Sequence, residues 1–597
     1  MLKRINNWCK QERPWLRWES VFAAAAAAYC AAMVWSFIDG NTVDSLTYVA
    51  RMNKFLFFAV FASVFGILMG FTLRFKSGRI IPWSLLVFSL LLSVCLVPQS
   101  NIGIYFNIGI SLVMGIVIVW LCRGDKLGVS KISIEYKHCL RLAAVLFVLF
   151  SAVITYYSVL RYRSYIASNF DFGIFTQMFE SMRRTGLPLT TVERNRLMSH
   201  FGVHFSPVYY LVLPFYAVFP RPETLLFIQA AVVGAGVFPV YAICRKLTLS
   251  PKSTCAMLLI YTLYPALSRG ALFDFHENKF LTFFILCLLY FMLAGLKRPM
   301  FVFALLTLSV KEDAAIYVAA ISLYLIFVKK QRLMGIVMLV LAVIWFALAV
   351  SVVGMLGDGV MMGRLENYFI PGVSGEQGFG SVIQVCLFNI GYLVKQVFVQ
   401  KKVEFMLWML VPLVFLPFKT EKLATLFLML PMFVINLMPN YPYQYDIGYQ
   451  YTFGPAALLI FMTILAVVGL DSEKRRTLLT VSIVVSAIFT MSLTGEKMGY
   501  LSRNWNTNKT TMLAVDACID RLPEDAVITS NTLFSPHLYD REEVYMFPNY
   551  YGQSVQTPYL LVYNPEYENN EKLHEFMDDD YTEIDRAGFL TVYRLIE

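Results

Sequence analysis

The stretch Leu333-Met334-Gly335-Ile336-Val337-Met338-Leu339-Val340-Leu341-Ala342-Val343-Ile344-Trp345-Phe346-Ala347-Leu348-Ala349-Val350-Ser351-Val352-Val353-Gly354-Met355 carries no charged side chain. As a helix it rises about 34 Å at ~1.5 Å per residue, enough to cross a hydrocarbon core of about 30 Å. It therefore reads as a transmembrane span. Comparable apolar runs lie before it at 21–37, 55–73, 80–97, 102–122, 140–160, 224–243, 253–267, 280–294, 301–310 and 314–328. Others follow at 405–418, 423–437, 453–470 and 480–493. The whole predicts an all-α polytopic membrane protein with about 15 transmembrane helices. The run at 205–219 is short and contains Pro207 and Pro214, so it reads as an interfacial or re-entrant helix.

Composition agrees. Hydrophobic residues are 58% and charged residues 15% of the chain, against about 45–50% and about 25% in soluble domains. This excludes a large soluble enzyme and a disordered or fibrous chain. The net charge of +10 does not point to nucleic acid. Its basic residues gather in alternate loops, among them Lys3-Arg4, Arg74-Lys76-Arg79, Arg123-Lys126, Arg245-Lys246-Lys252, Lys297-Arg298, Lys329-Lys330 and Lys474-Arg475-Arg476. That asymmetry predicts a cytoplasmic N-terminus. Counting 205–219 as a span would invert every later basic loop. The run at 21–37 reads as a first span and not as a signal peptide, given its length and the similar runs behind it.

The segment 496–597 is polar and ends acidic at Asp578-Asp579-Asp580. Strand-like runs at 526–530, 543–547, 559–563 and 590–594 alternate with helical ones at 512–521 and 570–577, predicting a small α/β domain. An odd number of spans places it outside the cytoplasm. Of the ten cysteines only Cys518 lies there, so it holds no internal disulfide, and no CxxC motif occurs. Three parts result: a four-helix transmembrane module at 1–135, a transmembrane core with external loops at 136–495, and an extracytoplasmic α/β domain at 496–597. No Walker loop, GxGxxG or HExxH motif is present.

Ionisable residues at membrane-helix ends mark functional sites by default. Three clusters fall on the outer face. In Asn169-Phe170-Asp171-Phe172-Gly173-Ile174-Phe175-Thr176-Gln177, Asp171 is either a helix N-cap or a general base. Phe273-Asp274-Phe275-His276-Glu277-Asn278-Lys279 offers a His and two carboxylates to a phosphate, a metal or a sugar, or forms a capped turn. Lys311-Glu312-Asp313 sits between two short apolar runs near membrane depth, where charged, irregular backbone must be buried or line a cavity. There Lys311 would meet an anionic phosphate, with Glu312 or Asp313 holding it, or the three residues form an ordinary exposed hairpin loop. His200 and His204 have the i, i+4 spacing of a helical metal pair, weakened by Gly202 and Pro207. The loop from Asn440 to Tyr451 is dense in Tyr, as an interfacial belt or as a surface on which a sugar stacks.

At these residues the chain resembles the membrane family named domain of unknown function 2079, itself similar to the GT-C glycosyltransferases. The pieces that carry the resemblance are Phe170–Gln177, His204-Phe205-Ser206-Pro207, Asp274-Phe275-His276-Glu277, Lys311-Glu312-Asp313 and Tyr449-Gln450-Tyr451. The resemblance covers roughly 165–470, with the first four spans as an added module. It implies a GT-C-like core whose active site faces away from the cytoplasm. It also implies that Asp171 deprotonates an acceptor hydroxyl, which attacks a polyprenyl-phosphate sugar in hexosyl or pentosyl transfer. On this reading Asp274, His276, Glu277, Lys311, Glu312, Asp313, His204, Tyr449 and Tyr451 bind the substrate and its phosphate. The first loop carries the single Asp171 where metal-dependent members carry an acidic pair, a departure that argues against a metal-dependent donor site; a divalent metal stays an open candidate cofactor. The expected partners are membrane lipids, a polyprenyl-phosphate sugar donor and a cell-envelope acceptor. Two other readings fit the same residues: a transporter or flippase of a lipid-linked substrate, and a non-catalytic envelope scaffold.

Overall fold

The charge-free stretch forms one helix, Arg332–Leu356, whose apolar side chains such as Val343 (61% exposed) face outward as lipid contact requires. The computed structural model describes residues 18–38, 48–76, 79–97, 103–167, 170–357, 359, 362–370, 378–549, 552–567, 570–578 and 580–596. The basic N-terminal residues from Lys3 to Arg17, Asn169 and Asp579 lie outside them. Among the described residues nine helices are long and apolar enough to cross a membrane, with shorter apolar helices at Ile80–Leu96, Tyr209–Val218 and Phe379–Phe388. The protein is a polytopic helical membrane protein with a small C-terminal sheet.

The expected figure of about 15 spans is higher because several apolar runs are not single helices. Pro265 drives Tyr264 into an extended conformation and splits 253–267 into Pro251–Thr262 and Pro265–Ala271. After Gln400–Leu410 the chain passes through short turns that contain Pro412 and Pro417, with left-handed Val414 and Phe415 between them. It then continues as Leu423–Met429 and Met432–Leu437. Such broken backbone is tolerated at membrane depth only where protein covers it, and Leu413, Leu416, Leu428 and Met432 are buried in the main core. The 205–219 run yields only Tyr209–Val218, too short to cross a bilayer.

Two long helices tie the parts together. Tyr136–Arg163, 28 residues, is about 40 Å long. Ser472–Thr490 continues through a π-turn, Met491–Gly495, into Glu496–Ile519. The N-terminal helices lean on this last span, where Asn107 donates to Ser492 Oγ at 2.8 Å and Ile118 packs with Val485 and Phe489.

The C-terminal sheet follows two short hairpin strands, β1 (Leu189–Thr190) and β2 (Met198–Ser199). It consists of β3 (Ile528–Ser530), β4 (Val544–Met546), β5 (Tyr559–Tyr563), β6 (Tyr581–Ala587) and β7 (Leu590–Leu595), ordered β4-β3-β5-β7-β6. The sheet packs on helix Phe170–Thr185 and on the loop after it. Gln177 accepts from Thr191 N at 2.9 Å and donates to the Glu542 carbonyl at 3.0 Å. Thr191 Oγ1 takes the Val544 N–H and donates to the Val544 carbonyl. Asn195 does the same for Met546, at 2.7 and 2.8 Å. Two side chains thus satisfy the outer edge of β4. Asn195→Ala would leave buried backbone groups unpaired, at a cost of about 1–3 kcal/mol. We expect faster amide hydrogen exchange at Met546 in that variant, with exchange at β5 unchanged.

Helix Phe170–Thr185 is buried on nearly every side. Its sequence pattern predicts one apolar face, but the far side is covered by the C-terminal residues, with Ser535 lying close over Gly173.

Candidate functional site

The segments around His276 and Lys311 fold alike. His276 is extended (φ −151°, ψ 143°), followed by a 3₁₀ turn, Glu277–Lys279, and the helix Phe280–Ala294. Lys311 is extended (φ −167°, ψ 162°), followed by Glu312–Ala314 and Ala315–Phe327. Each places a basic residue before a helix and a carboxylate in its first turn, where the helix dipole favours negative charge. The two segments face helix Phe170–Thr185 across a cavity of about 350 Å³.

Of the residues expected to act, Asp171, His204, His276, Glu277, Lys311, Tyr449 and Tyr451 line this cavity. Asp171 is not an N-cap: it sits within the first helical turn and meets His276 Nε2 through Oδ2 at 3.2 Å. The other ring nitrogen, Nδ1, lies 3.1 Å from the Asp274 carbonyl, which can only accept. With Nδ1 as donor, the contact with Asp171 holds one further proton between Nε2 and Oδ2. Burial pushes the Asp171 carboxyl up, but the hydrogen bond and charge of His276, with Lys311 beyond, outweigh it and hold the group below the usual carboxylate range. Its side chain is 43% exposed.

Lys311 is held by Glu277 at 3.2 Å, not by Glu312 or Asp313 as the sequence suggests. Tyr209 donates to the second oxygen of Glu277 at 3.0 Å. Glu312 instead takes His204 Nδ1 at 2.9 Å and the Phe205 N–H at 3.3 Å. Burial, then the charge of Lys311, holds the His204 imidazole well below its ordinary value. Glu312 and Asp313 line an adjoining apolar groove.

Asp274 lines neither space. It is buried against the guanidinium of Arg161, and Lys279 donates to the carbonyls of Phe273 and Asp274 and to Gln229. Its part is to fix the loop that presents His276. His200 and His204 do not form a metal pair, since His200 Nδ1 meets Glu193 at 2.8 Å and His204 meets Glu312. Among the described residues no group of three or more His, Cys, Asp or Glu is arranged to hold a metal ion.

Glu193, Arg194 and Arg364, not singled out from sequence, complete the lining, together with His200 and with Tyr441 and Tyr443 of the Tyr-rich loop. Arg364 lies over the rings of Tyr441 and Tyr451 at 4.7 and 5.6 Å. Tyr443 and Phe273 meet Tyr449 edge-on at 4.7 and 4.8 Å. Arg161 carries a signal of its own in the sequence, a cation directly after the apolar run at 140–160.

Residues 161–589 match the family described as predicted membrane protein, DUF2079. No curated protein matches the chain. Among solved structures, ArnT from Cupriavidus metallidurans bound to undecaprenyl phosphate is similar at 13% identity and a TM-score of 0.43, over 75% of this chain and 97% of that one. Its apo state is similar at 13% identity and a TM-score of 0.40, over the same shares.

Proposed function

We propose, for a chain that belongs to the DUF2079 family of predicted membrane proteins, that it is an integral membrane glycosyltransferase. It moves a sugar from a polyprenyl-phosphate carrier to a hydroxyl of a cell-envelope glycan, lipid or protein. The reaction takes place on the non-cytoplasmic face, with the N-terminus inside and residues 496–597 outside.

The observation that carries this reading is a pair of unlike chambers with shared residues. The first is polar and rich in aromatic rings. The second, about 330 Å³, is lined by Ala315, Ile316, Ala342, Val343 and Phe346, and the two have His204 and Arg364 in common. A polyprenyl-linked sugar has the same plan: an apolar chain, an anionic phosphate and a polar ring. The chain fits the second chamber, the phosphate the border at Arg364 and Lys311, and the sugar the faces of Tyr443, Tyr449 and Tyr451. Asp171 takes the proton of the acceptor hydroxyl and the freed oxygen attacks the anomeric carbon. The bond from that carbon to the phosphate oxygen breaks, and polyprenyl phosphate leaves with the electron pair, its charge met by Lys311 and Arg364. His276 orients Asp171, and Glu277 orients Lys311.

The test is transfer from a labelled polyprenyl-phosphate sugar by the purified chain in liposomes. Labelled acceptor with release of the carrier supports the reading. Movement of the intact carrier across the bilayer without transfer overturns it in favour of a flippase. Arg364→Gln is expected to weaken carrier binding about 10- to 100-fold, the loss of a hydrogen bond to a charged group, measured as KM for the donor.

A further inference from the structure

At the other end of helix Tyr136–Arg163 lies a larger cavity, about 860 Å³. The same helix brings Arg161 to the candidate site and Tyr136, which donates to the Leu249 carbonyl at 2.5 Å, to the border of this cavity. The two spaces are therefore about 40 Å apart, a membrane thickness. Its walls come from the loop at 123–134, the helix Pro251–Thr262 and the helix Ser472–Thr490.

Both helices begin at the cavity. Ser250 caps the first, accepting from Ser253 N, and Asp471 caps the second, accepting from Lys474 N at 2.9 Å. Helix N-termini favour an anion; the second already carries the Asp471 carboxylate, the first only the neutral Ser250 cap. Lys252, Arg475 and Arg476 add three cations to the lining, against the carboxylates Asp125 and Glu473. Asp125 is already engaged by Arg476 at 3.3 Å and by the Ser130 N–H. Lys252 donates to the Ser130 carbonyl at 2.7 Å, and Arg475 to the carbonyls of Val468 and Leu470 at 3.1 and 2.6 Å. Neither cation is neutralised by those bonds. Beside them stands an apolar wall of Ile132, Leu259, Leu479 and Ile483.

We propose that this cavity binds the phosphate headgroup of an anionic membrane phospholipid, with an acyl chain along the apolar wall. The lipid then bridges the N-terminal helices and the core at the face opposite the transfer site. A free phosphate shares the headgroup chemistry but has no use for the wall.

The full chain, purified in detergent and stripped of lipid, is tested by native mass spectrometry and thermal melting. The probes are phosphatidylglycerol, phosphatidylcholine and inorganic phosphate. Phosphatidylglycerol is expected to stay bound and to raise the melting temperature, as any ligand of the folded state does. Lys252→Gln should weaken its binding about tenfold, the loss of one hydrogen bond to a charged group. Ser253→Asp places a carboxylate in a first helical turn, where acids are favourable. It should weaken binding as much, and because Ser253 is buried the effect is read as the shift phosphatidylglycerol produces relative to the variant's own lipid-free melting temperature. Equal binding of the two lipids, equal stabilisation by inorganic phosphate, or unaltered phosphatidylglycerol binding in both variants would overturn the proposal.

Discussion

Replacing Asp171 by asparagine is expected to lower sugar transfer by about 10²- to 10⁴-fold, the usual contribution of a positioned general base. The amide has nearly the shape of the carboxylate and still offers an oxygen to His276 Nε2, which stands 3.2 Å away. It cannot accept the acceptor's proton. The loss should therefore appear in kcat, with KM for the lipid donor little changed, because the cations at the phosphate position are untouched. Melting temperature should also hold, since the side chain opens onto the cavity and is no part of the packed core. Wild-type turnover by the variant would place the base elsewhere. A fall in melting temperature together with activity would make Asp171 a structural residue.

Lys311→Met is expected to destabilise the protein by about 3–5 kcal/mol, the cost of leaving one member of a buried ion pair without its partner. The pair is Lys311 with Glu277 at 3.2 Å, their side chains 3% and 1% exposed. The second oxygen of Glu277 holds the Tyr209 hydroxyl, so loss of Lys311 leaves the buried carboxylate with a neutral donor in place of its cation. The double variant Lys311→Met with Glu277→Gln removes both charges and keeps an acceptor for Tyr209. It should recover most of the melting temperature and none of the transfer, because the phosphate still lacks its cation. Recovery of both would show that Lys311 serves the fold alone. Melting temperature and donor turnover, measured on the four proteins of the cycle, separate these outcomes.

Residues legible in the sequence were those that broke a pattern. Asp171, His276 and Lys311 stand out because each is ionisable among apolar neighbours, and all three line one cavity. Their partners were not legible. Nothing local distinguishes Asp274, which Arg161 takes from 113 positions away, from Glu277, which holds Lys311. Pairing at that range is decided by helix packing. The apolar runs were visible, but not where proline would break them, as at Pro265 and Pro417. The strands at 559–563 and 590–594 were apparent from their apolar residues. β6 was not, since Glu583, Asp585 and Arg586 give it no apolar alternation. It is an edge strand, and charge on an edge discourages further pairing.

β4, the opposite edge, carries no such protection of its own. Its outward N–H and C=O groups at Val544 and Met546 are occupied by Thr191 and Asn195, which belong to the loop that also supplies Glu193 and Arg194 to the cavity. Severed from the membrane helices, residues 496–597 would present a bare strand edge, a template on which a second copy pairs. We therefore expect the tail not to behave as a detachable module: the loop that covers its edge strand is the same one that lines the candidate cavity.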